Sequence, residues 1–349
     1  MEAGGALAHI PTVAINARAA ARAEIGGVER LARQMAIRLP ALRPDRYRVI
    51  RPPEALAHRA GHLWEQSVLP LQGARCGLLY SPANLAPVVS RRNVLVLHDA
   101  AALRHPESYS RPYVAYQRMI LPRLARRARL LITVSDFSKG ELIELLGSSP
   151  ERIVVIPDGV EERFRPDVDP SGARARYGLG FPYVLVVGSV SERKNLGVLG
   201  QAARALAERG VDLVVAGSGR TYLRGGSVGL RRLGYVADED LPALYAGARA
   251  LAMPSMYEGF GLPCLEAMAC GVPVVVAAAG ALPETVGDAG ILIDPGDADA
   301  FASAILAASF DEALRATLAQ AGVRRAASFS WTRTAALTDA AIGAVLAAG

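Results

Sequence analysis

The sequence predicts an α/β protein made of two doubly wound parallel-sheet domains that face each other across a cleft. Three observations carry this. Short, continuously apolar runs alternate with helical stretches, the pattern of strands covered on both faces by helices. The rhythm breaks between Arg163 and Pro182, a charged segment containing Pro166, Pro170 and Pro182, and then restarts. A length of 349 residues also suits two domains better than one.

In the first series, Val13–Asn16, Tyr47–Ile50, Leu78–Tyr80, Val94–His98, Leu130–Val134 and Ile153–Ile156 read as buried strands. In the second, Tyr183–Val187, Leu213–Ala216, Ala250–Met253, Val274–Ala277 and Ile291–Ile293 do. The predicted units are residues 1–165, residues 166–330 and a C-terminal helix over 331–349. No tandem repeat of solenoid length appears. Ligands of such sheets bind at the carboxyl ends of the strands, where loops meet helix N-termini.

A composition that is 51% hydrophobic and 21% charged can bury a sizeable core, which excludes a mainly disordered chain. Cys76, Cys264 and Cys270 form neither a disulfide framework nor a metal-ligand spacing, so a reducing, cytoplasmic setting is expected. Met1 to His9 has no basic start and no sustained apolar core, so no signal peptide is expected. The longest weakly charged apolar stretch, Ala267 to Leu282, is broken by Gly271 and Pro273 and is too short to span a membrane.

The net charge of +6 is unevenly divided, with +9 on residues 1–180 and −3 on residues 181–349. Between Arg104 and Arg129 lie seven arginines and one acid, Glu107. Such a run serves either as a solvated helix face or as a surface for anionic lipid head groups, the second giving peripheral membrane contact. No recognisable motif interleaves aromatic stacking residues with it, so nucleic acid is not an expected partner.

The densest chemistry lies in Glu258-Gly259-Phe260-Gly261-Leu262-Pro263-Cys264-Leu265-Glu266, just beyond the strand Ala250–Met253. Pro263 suits a first helical turn, where a missing N–H does no harm. Gly259 and Gly261 let the backbone approach a ligand, and N–H groups near Leu262 sit at a positive helix end suited to phosphate. The two carboxylates, eight positions apart, can reach opposite ends of one elongated ligand. A loop glycine pair with two surface acids would have the same sequence.

This run resembles the Glu-x7-Glu signature of the retaining, family-4 type glycosyltransferases of GT-B fold (glycosyl transferases group 1), and the resemblance extends along nearly the whole chain. It implies two Rossmann-like domains, the first for the acceptor and the second for a nucleotide-sugar donor. Phe329-Ser-Trp331 and the helix after it resemble the family's segment that crosses back to the first domain. Glu258 is then implied beside the transferred sugar, Glu266 on the ribose hydroxyls, and Gly259, Phe260, Gly261 and Leu262 in backbone contact with sugar and phosphate.

Ser191-Glu192-Arg193-Lys194-Asn195 looks like the family's basic pair for the diphosphate. Arg193 offers a planar fork and Lys194 a point charge. An exposed basic pair opening a helix is the plainer use of the same residues. In Ile25-Gly26-Gly27-Val28-Glu29-Arg30, the pair Gly26 and Gly27 fits close approach to the donor phosphate, or simply a strand–helix turn. Val94 to Asp99 resembles the His-Asp segment of mannosyltransferase-like members, which nominates His98 and Asp99 beside the donor sugar. Ile132 to Lys139 and Ile156 to Val160 also resemble family segments, with Asp158-Gly159 standing where Asn-Gly is usual.

Three Asp-x-Asp triplets, at Asp167/Asp169, Asp238/Asp240 and Asp297/Asp299, lie in the proline-rich segment or beside helix starts, where acids suit the helix dipole. No metal is expected at any of them. Gly217-Ser-Gly219 lacks the rest of a dinucleotide fingerprint, and His9, His58, His62 and His105 form no ligand spacing.

The implied function is retaining transfer of a sugar from GDP-mannose or a UDP-sugar to a hydroxyl acceptor such as a lipid-linked glycan, without metal or bound cofactor. Arg193 and Lys194 would stabilise the leaving diphosphate. A nucleotide-sugar 2-epimerase of the same fold and a non-catalytic nucleotide-sugar binding protein are the two alternatives.

Overall fold

Twelve strands form two all-parallel sheets of six in a computed structural model of the chain, which describes residues 12–53, 61–189, 191–217 and 230–348. The first sheet holds β1 (Val13–Asn16), β2 (Tyr47–Ile50), β3 (Leu78–Ser81), β4 (Asn93–Val96), β5 (Leu130–Thr133) and β6 (Ile153–Val155), in the order β2-β1-β3-β4-β5-β6. The second holds β7 (Tyr183–Val187), β8 (Asp212–Ala216), β9 (Arg231–Gly234), β10 (Leu251–Met253), β11 (Val274–Ala277) and β12 (Ile291–Ile293), in the order β12-β11-β10-β7-β8-β9. In each, the chain builds one side and then jumps back across its starting strand. The reversals fall between β1 and β3 and between β7 and β10, and a crevice opens at the carboxyl end of such a reversal.

The continuously apolar strands are buried as their pattern predicts. Val184, Leu185 and the whole of Val274–Ala277 are fully covered. β9 is the strand that the apolar pattern misses. Its sequence is Arg-Arg-Leu-Gly, and as an outer strand with exposed arginines it has no apolar run. β4 starts and ends earlier than Val94–His98. The His98 N–H leaves the ladder and donates to Asn84 Oδ1 (2.8 Å), so His98 sits on the loop beyond the strand.

The segment between the sheets is packed. Phe164 is buried beneath the guanidinium groups of Arg163 (4.9 Å to the ring centroid) and Arg30 (5.6 Å), edge-on to Tyr245, while Ser171–Arg176 forms a short helix. The helix Trp331–Ala347 lies against the helix Gly27–Leu42 of the first domain. Its Asp339 accepts from Tyr47 (2.7 Å) and Arg46 (2.8 Å), and its Thr334 donates to the Pro157 carbonyl (2.8 Å). Gly159 permits this crossing: a Cβ there would lie 2.2 Å from the Trp331 nitrogen.

Cys76, Cys264 and Cys270 are free and buried. Among the described residues no helix is long and apolar enough to cross a membrane. Met1 to His9, His58, Ser218 and Gly219, singled out in the sequence, lie outside the described residues.

Candidate active site

The reversal of the second sheet brings the loop after β7 beside the loop after β10. Beyond β7 the chain turns at Gly188 (φ 141°), where a Cβ would lie 2.9 Å from Lys194 Nζ. A side chain at that position would displace the ammonium. Arg193 and Lys194 end a short 3-10 turn closed by Asn195 in the left-handed region (φ 52°). Across from them, Glu258 Oε1 accepts from Lys194 Nζ (2.6 Å) and Arg193 Nη1 (3.2 Å). All three side chains are nearly buried. Burial pushes the Glu258 carboxyl up, but the Lys194 and Arg193 charges outweigh it and hold the group below its ordinary value.

The first domain closes over this cluster. Ser108 Oγ accepts the Arg193 N–H (3.1 Å), and the Tyr257 hydroxyl accepts the Ala100 N–H (3.3 Å). Gly259 fits directly under His98 and Asp99, since a Cβ there would meet the His98 carbonyl at 2.6 Å and Asp99 Cβ at 2.9 Å. The Gly259 carbonyl accepts from Ser135 Oγ (2.6 Å) and Ser138 Oγ (3.0 Å). Gly261 (φ 101°) then opens the helix Leu262–Ala269, and Phe260 stands edge-on to Phe329. Gly26 caps the helix Gly27–Leu42, and a Cβ on Gly27 would touch Leu262 (3.9 Å), so the two glycine loops meet. His98 Nε2 lies 3.1 Å from the Pro82 carbonyl, and Asp99 accepts the Ala101 N–H (3.0 Å) at the start of a helical turn.

Glu266 occupies a separate corner. It accepts from Tyr245 (2.9 Å) and pairs with Arg30 Nε (3.2 Å), which comes from the first domain. Arg30 also binds Glu161 (2.5 Å) and Asp238 (2.6 Å), and Arg163 binds the same two acids. Burial raises the Glu266 carboxyl above its ordinary value against the pull of Arg30 and Tyr245. Burial also opposes the Arg30 charge, but its three carboxylate partners prevail and its pKa rises.

Arg193, Lys194 and Glu258 thus form one cluster, Gly259 joins His98 and Asp99 to it, and Glu266 lies apart at the other end of its helix-opening run. Sequence reasoning missed Arg30, Tyr245, Glu161, Arg163, Ser135 and Ser138. Arg30 and the two serines stood inside the quoted family-like segments, but a buried partner on the other domain has no local signature. Asp240 stands at the N-cap of the helix Leu241–Ala246, as the sequence reading places it, though its carboxylate pairs with Arg176 (2.7 Å) and caps no N–H; Asp238 serves ion pairs with Arg30 and Arg163. Asp297 does cap its helix, accepting the Ala300 N–H (2.8 Å). Among the described residues no group of His, Cys, Asp and Glu could hold a metal ion.

The chain matches the family model described as Glycosyl transferases group 1 over residues 181–311 and that described as Glycosyltransferase Family 4 over residues 77–164. It is 37% identical over 269 residues to O-antigen chain mannosyltransferase B of Escherichia coli, covering 73% of this chain and 71% of that one. Sucrose-phosphate synthase from Thermosynechococcus elongatus has the same fold, with TM-score 0.74 at 21% identity over 97% of this chain and 100% of the other. So does HepE from Anabaena in complex with UDP-glucose, with TM-score 0.71 at 22% identity over 95% and 99%. Two facing parallel sheets with this cleft, shared with these structures, define a GT-B fold. The chain belongs to the family-4 type glycosyltransferases, enzymes that move a sugar from a nucleotide sugar, and neither the epimerase nor the non-catalytic alternative is favoured.

Asp158 generates a test of these electrostatics. It is 3% exposed, its Oδ1 has no hydrogen-bond partner, and burial pushes its carboxyl up to about 6 against the pull of His98 and Arg30. A carboxyl whose pKa is raised by folding stabilises the fold least when ionised. The loss sets in as pH rises from about 4 to about 6 and persists above that. Asp158→Asn should therefore be more stable than the parent at pH 7.5, by on the order of 2 kcal/mol. Paired thermal melts should show the advantage vanish near pH 4; a constant difference across that range would refute the buried carboxylate.

Proposed function

We propose that this glycosyltransferase moves a hexose, mannose first among the candidates, from its nucleoside diphosphate to a hydroxyl of a glycan or glycolipid, with retention of configuration and without a metal ion. The observation that carries the reading is the buried Lys194–Arg193–Glu258 cluster at the reversal of the donor sheet. The mannosyltransferase name of the Escherichia coli relative supports mannose, and the UDP-glucose complex of HepE keeps a UDP-sugar as the second donor.

Departure of the nucleoside diphosphate places new negative charge on its leaving oxygen, which Lys194 and Arg193 neutralise where water is excluded. Glu258, released from the cations by the diphosphate, accepts hydroxyls of the sugar. On the same face, the leaving oxygen takes the acceptor's hydroxyl proton as the acceptor oxygen bonds to the anomeric carbon. One carbon–oxygen bond breaks, one forms, and the configuration is kept. Glu266 takes the ribose hydroxyls, while Gly26, Gly27 and the backbone from Gly259 to Leu262 border phosphate and sugar. His98 and Asp99 border the sugar from the first domain.

The two carboxylates should separate in titrations with GDP and UDP. Glu266→Gln should weaken nucleotide binding by about tenfold, the loss of a charge-assisted hydrogen bond. Glu258→Gln should bind nucleotide at least as well as the parent, since a competitor for the cations is gone, yet turn over slowly. Equal loss of nucleotide binding in both variants would overturn the assignment.

Donor turnover should persist in excess EDTA, because Lys194 and Arg193 supply the positive charge. Activity abolished by the chelator and restored by manganese or magnesium would reject this.

The exposed Arg118, Arg123, Arg126, Arg127 and Arg129 suit an enzyme working at the cytoplasmic face of a membrane on a lipid-linked acceptor, each contributing about 1 kcal/mol near an anionic surface. The chain should sediment with phosphatidylglycerol vesicles at low salt and release as screening shortens the range to about 8 Å at physiological ionic strength. Equal, negligible binding to neutral and anionic vesicles would leave these arginines as ordinary surface.

A further inference from the structure

The reversal between β7 and β10 that carries Lys194 and Glu258 has a counterpart in the first sheet, between β1 and β3. The carboxyl ends of these two strands hold a buried polar cluster that the donor chemistry does not use. Asn16, the last residue of β1, donates to Glu65 Oε1 (2.6 Å) and to the hydroxyl of Ser81 (3.3 Å), the last residue of β3. Asn16 Oδ1 accepts the Arg18 N–H (3.2 Å), and Arg18 Nε pairs with Glu65 Oε2 at 3.2 Å. Glu65, on the helix Gly61–Gln72, is fully buried and Arg18 is 5% exposed.

Packing alone does not call for this arrangement, because apolar side chains of similar volume usually serve a fold at least as well as a buried ion pair. Arg18 is also incompletely used. Among the described residues its guanidinium engages only Glu65, through Nε, and no hydrogen bond from its two Nη groups is seen. A guanidinium fixed in direction with its fork unspent is a preorganised donor. The pair cancels its own charge, which favours a neutral polyol over a phosphate. Tyr116, half-buried on the helix Arg111–Arg127, is close enough that Glu65 raises its phenol pKa further above what burial alone does. The cluster also adjoins the reaction centre, since Ser81 precedes Pro82, whose carbonyl lies 3.1 Å from His98 Nε2.

We propose that Arg18 binds the acceptor. Its fork donates to hydroxyl or ring oxygens of a neutral sugar unit at the first sheet's reversal, with Glu65 and Asn16 as positioning residues. This rests on the hydroxyl-acceptor reading given above, and it puts donor and acceptor at equivalent crevices of the two sheets.

The test uses the full chain saturated with GDP or UDP, whichever binds, and methyl α-mannopyranoside as the probe, followed by saturation-transfer NMR. Arg18→Gln should weaken the mannoside by about tenfold or more, while nucleotide affinity stays within about twofold. Arg18→Lys keeps the charge beside Glu65 and folds more readily, but it lacks the fork and should lose the mannoside as well. Mannose 6-phosphate, the anionic counterpart, should bind no better than the methyl glycoside. Intact mannoside binding in Arg18→Lys, parallel losses of nucleotide and mannoside, a preference for the phosphate, or a parent chain that does not bind the mannoside would each overturn the proposal. Failure of the parent to bind either nucleotide, seen in the nucleotide titration alone, would instead reject the donor reading and this proposal with it.

Discussion

A carboxylate taken out of water needs nearby positive charge, and the geometry of the cleft follows from how Glu258 obtains it. Its two cations stand on the loop after β7, while Glu258 stands on the loop after β10, so the cluster exists only because those strands are neighbours. Gly188 must lack a side chain for Lys194 to fit, and the backbone of Arg193 must reach Ser108 of the other domain. Removing one member of such a buried pair typically costs about 3–5 kcal/mol, whereas the intact pair adds little to stability. Its value lies in poise. Two cations and a carboxylate are held in fixed directions with little water about them.

The second charged assembly joins the domains. Arg30 belongs to the first, yet it satisfies Glu266 and Asp238 of the second, and Glu161 on the connecting chain completes it. Gly259 beneath His98, and the serines that hold its carbonyl, make the other seam. Glu258 belongs to the cluster beside the second seam, and Glu266 to the charged assembly of the first. Neither seam is made by one domain alone.

What the sequence disclosed follows from what is local. Continuous apolar runs marked the buried strands because both of their faces need covering, and β9 escaped because an outer strand of Arg-Arg-Leu-Gly has no such need. Glu258 and Glu266 stood out because a glycine turn and two carboxylates share one short run, and Arg193 and Lys194 because their segment resembles the family's basic pair. Arg30 and Tyr245 did not, since their partners are supplied by the fold, and an arginine on a helix reads as solvent-facing until its carboxylates are seen. Asp238 misled in the opposite direction: an acid near a helix start looks like a dipole partner, whereas here it answers Arg30 and Arg163.

The last helix also has a consequence for synthesis on the ribosome. Trp331–Ala347 covers the helix Gly27–Leu42, and Asp339 satisfies Tyr47, 292 residues earlier. The first domain is translated first, but its shell stays open until the second has followed. A nascent chain therefore carries an uncovered helix face through most of its elongation, the circumstance in which long-range closure is slow and chaperones matter.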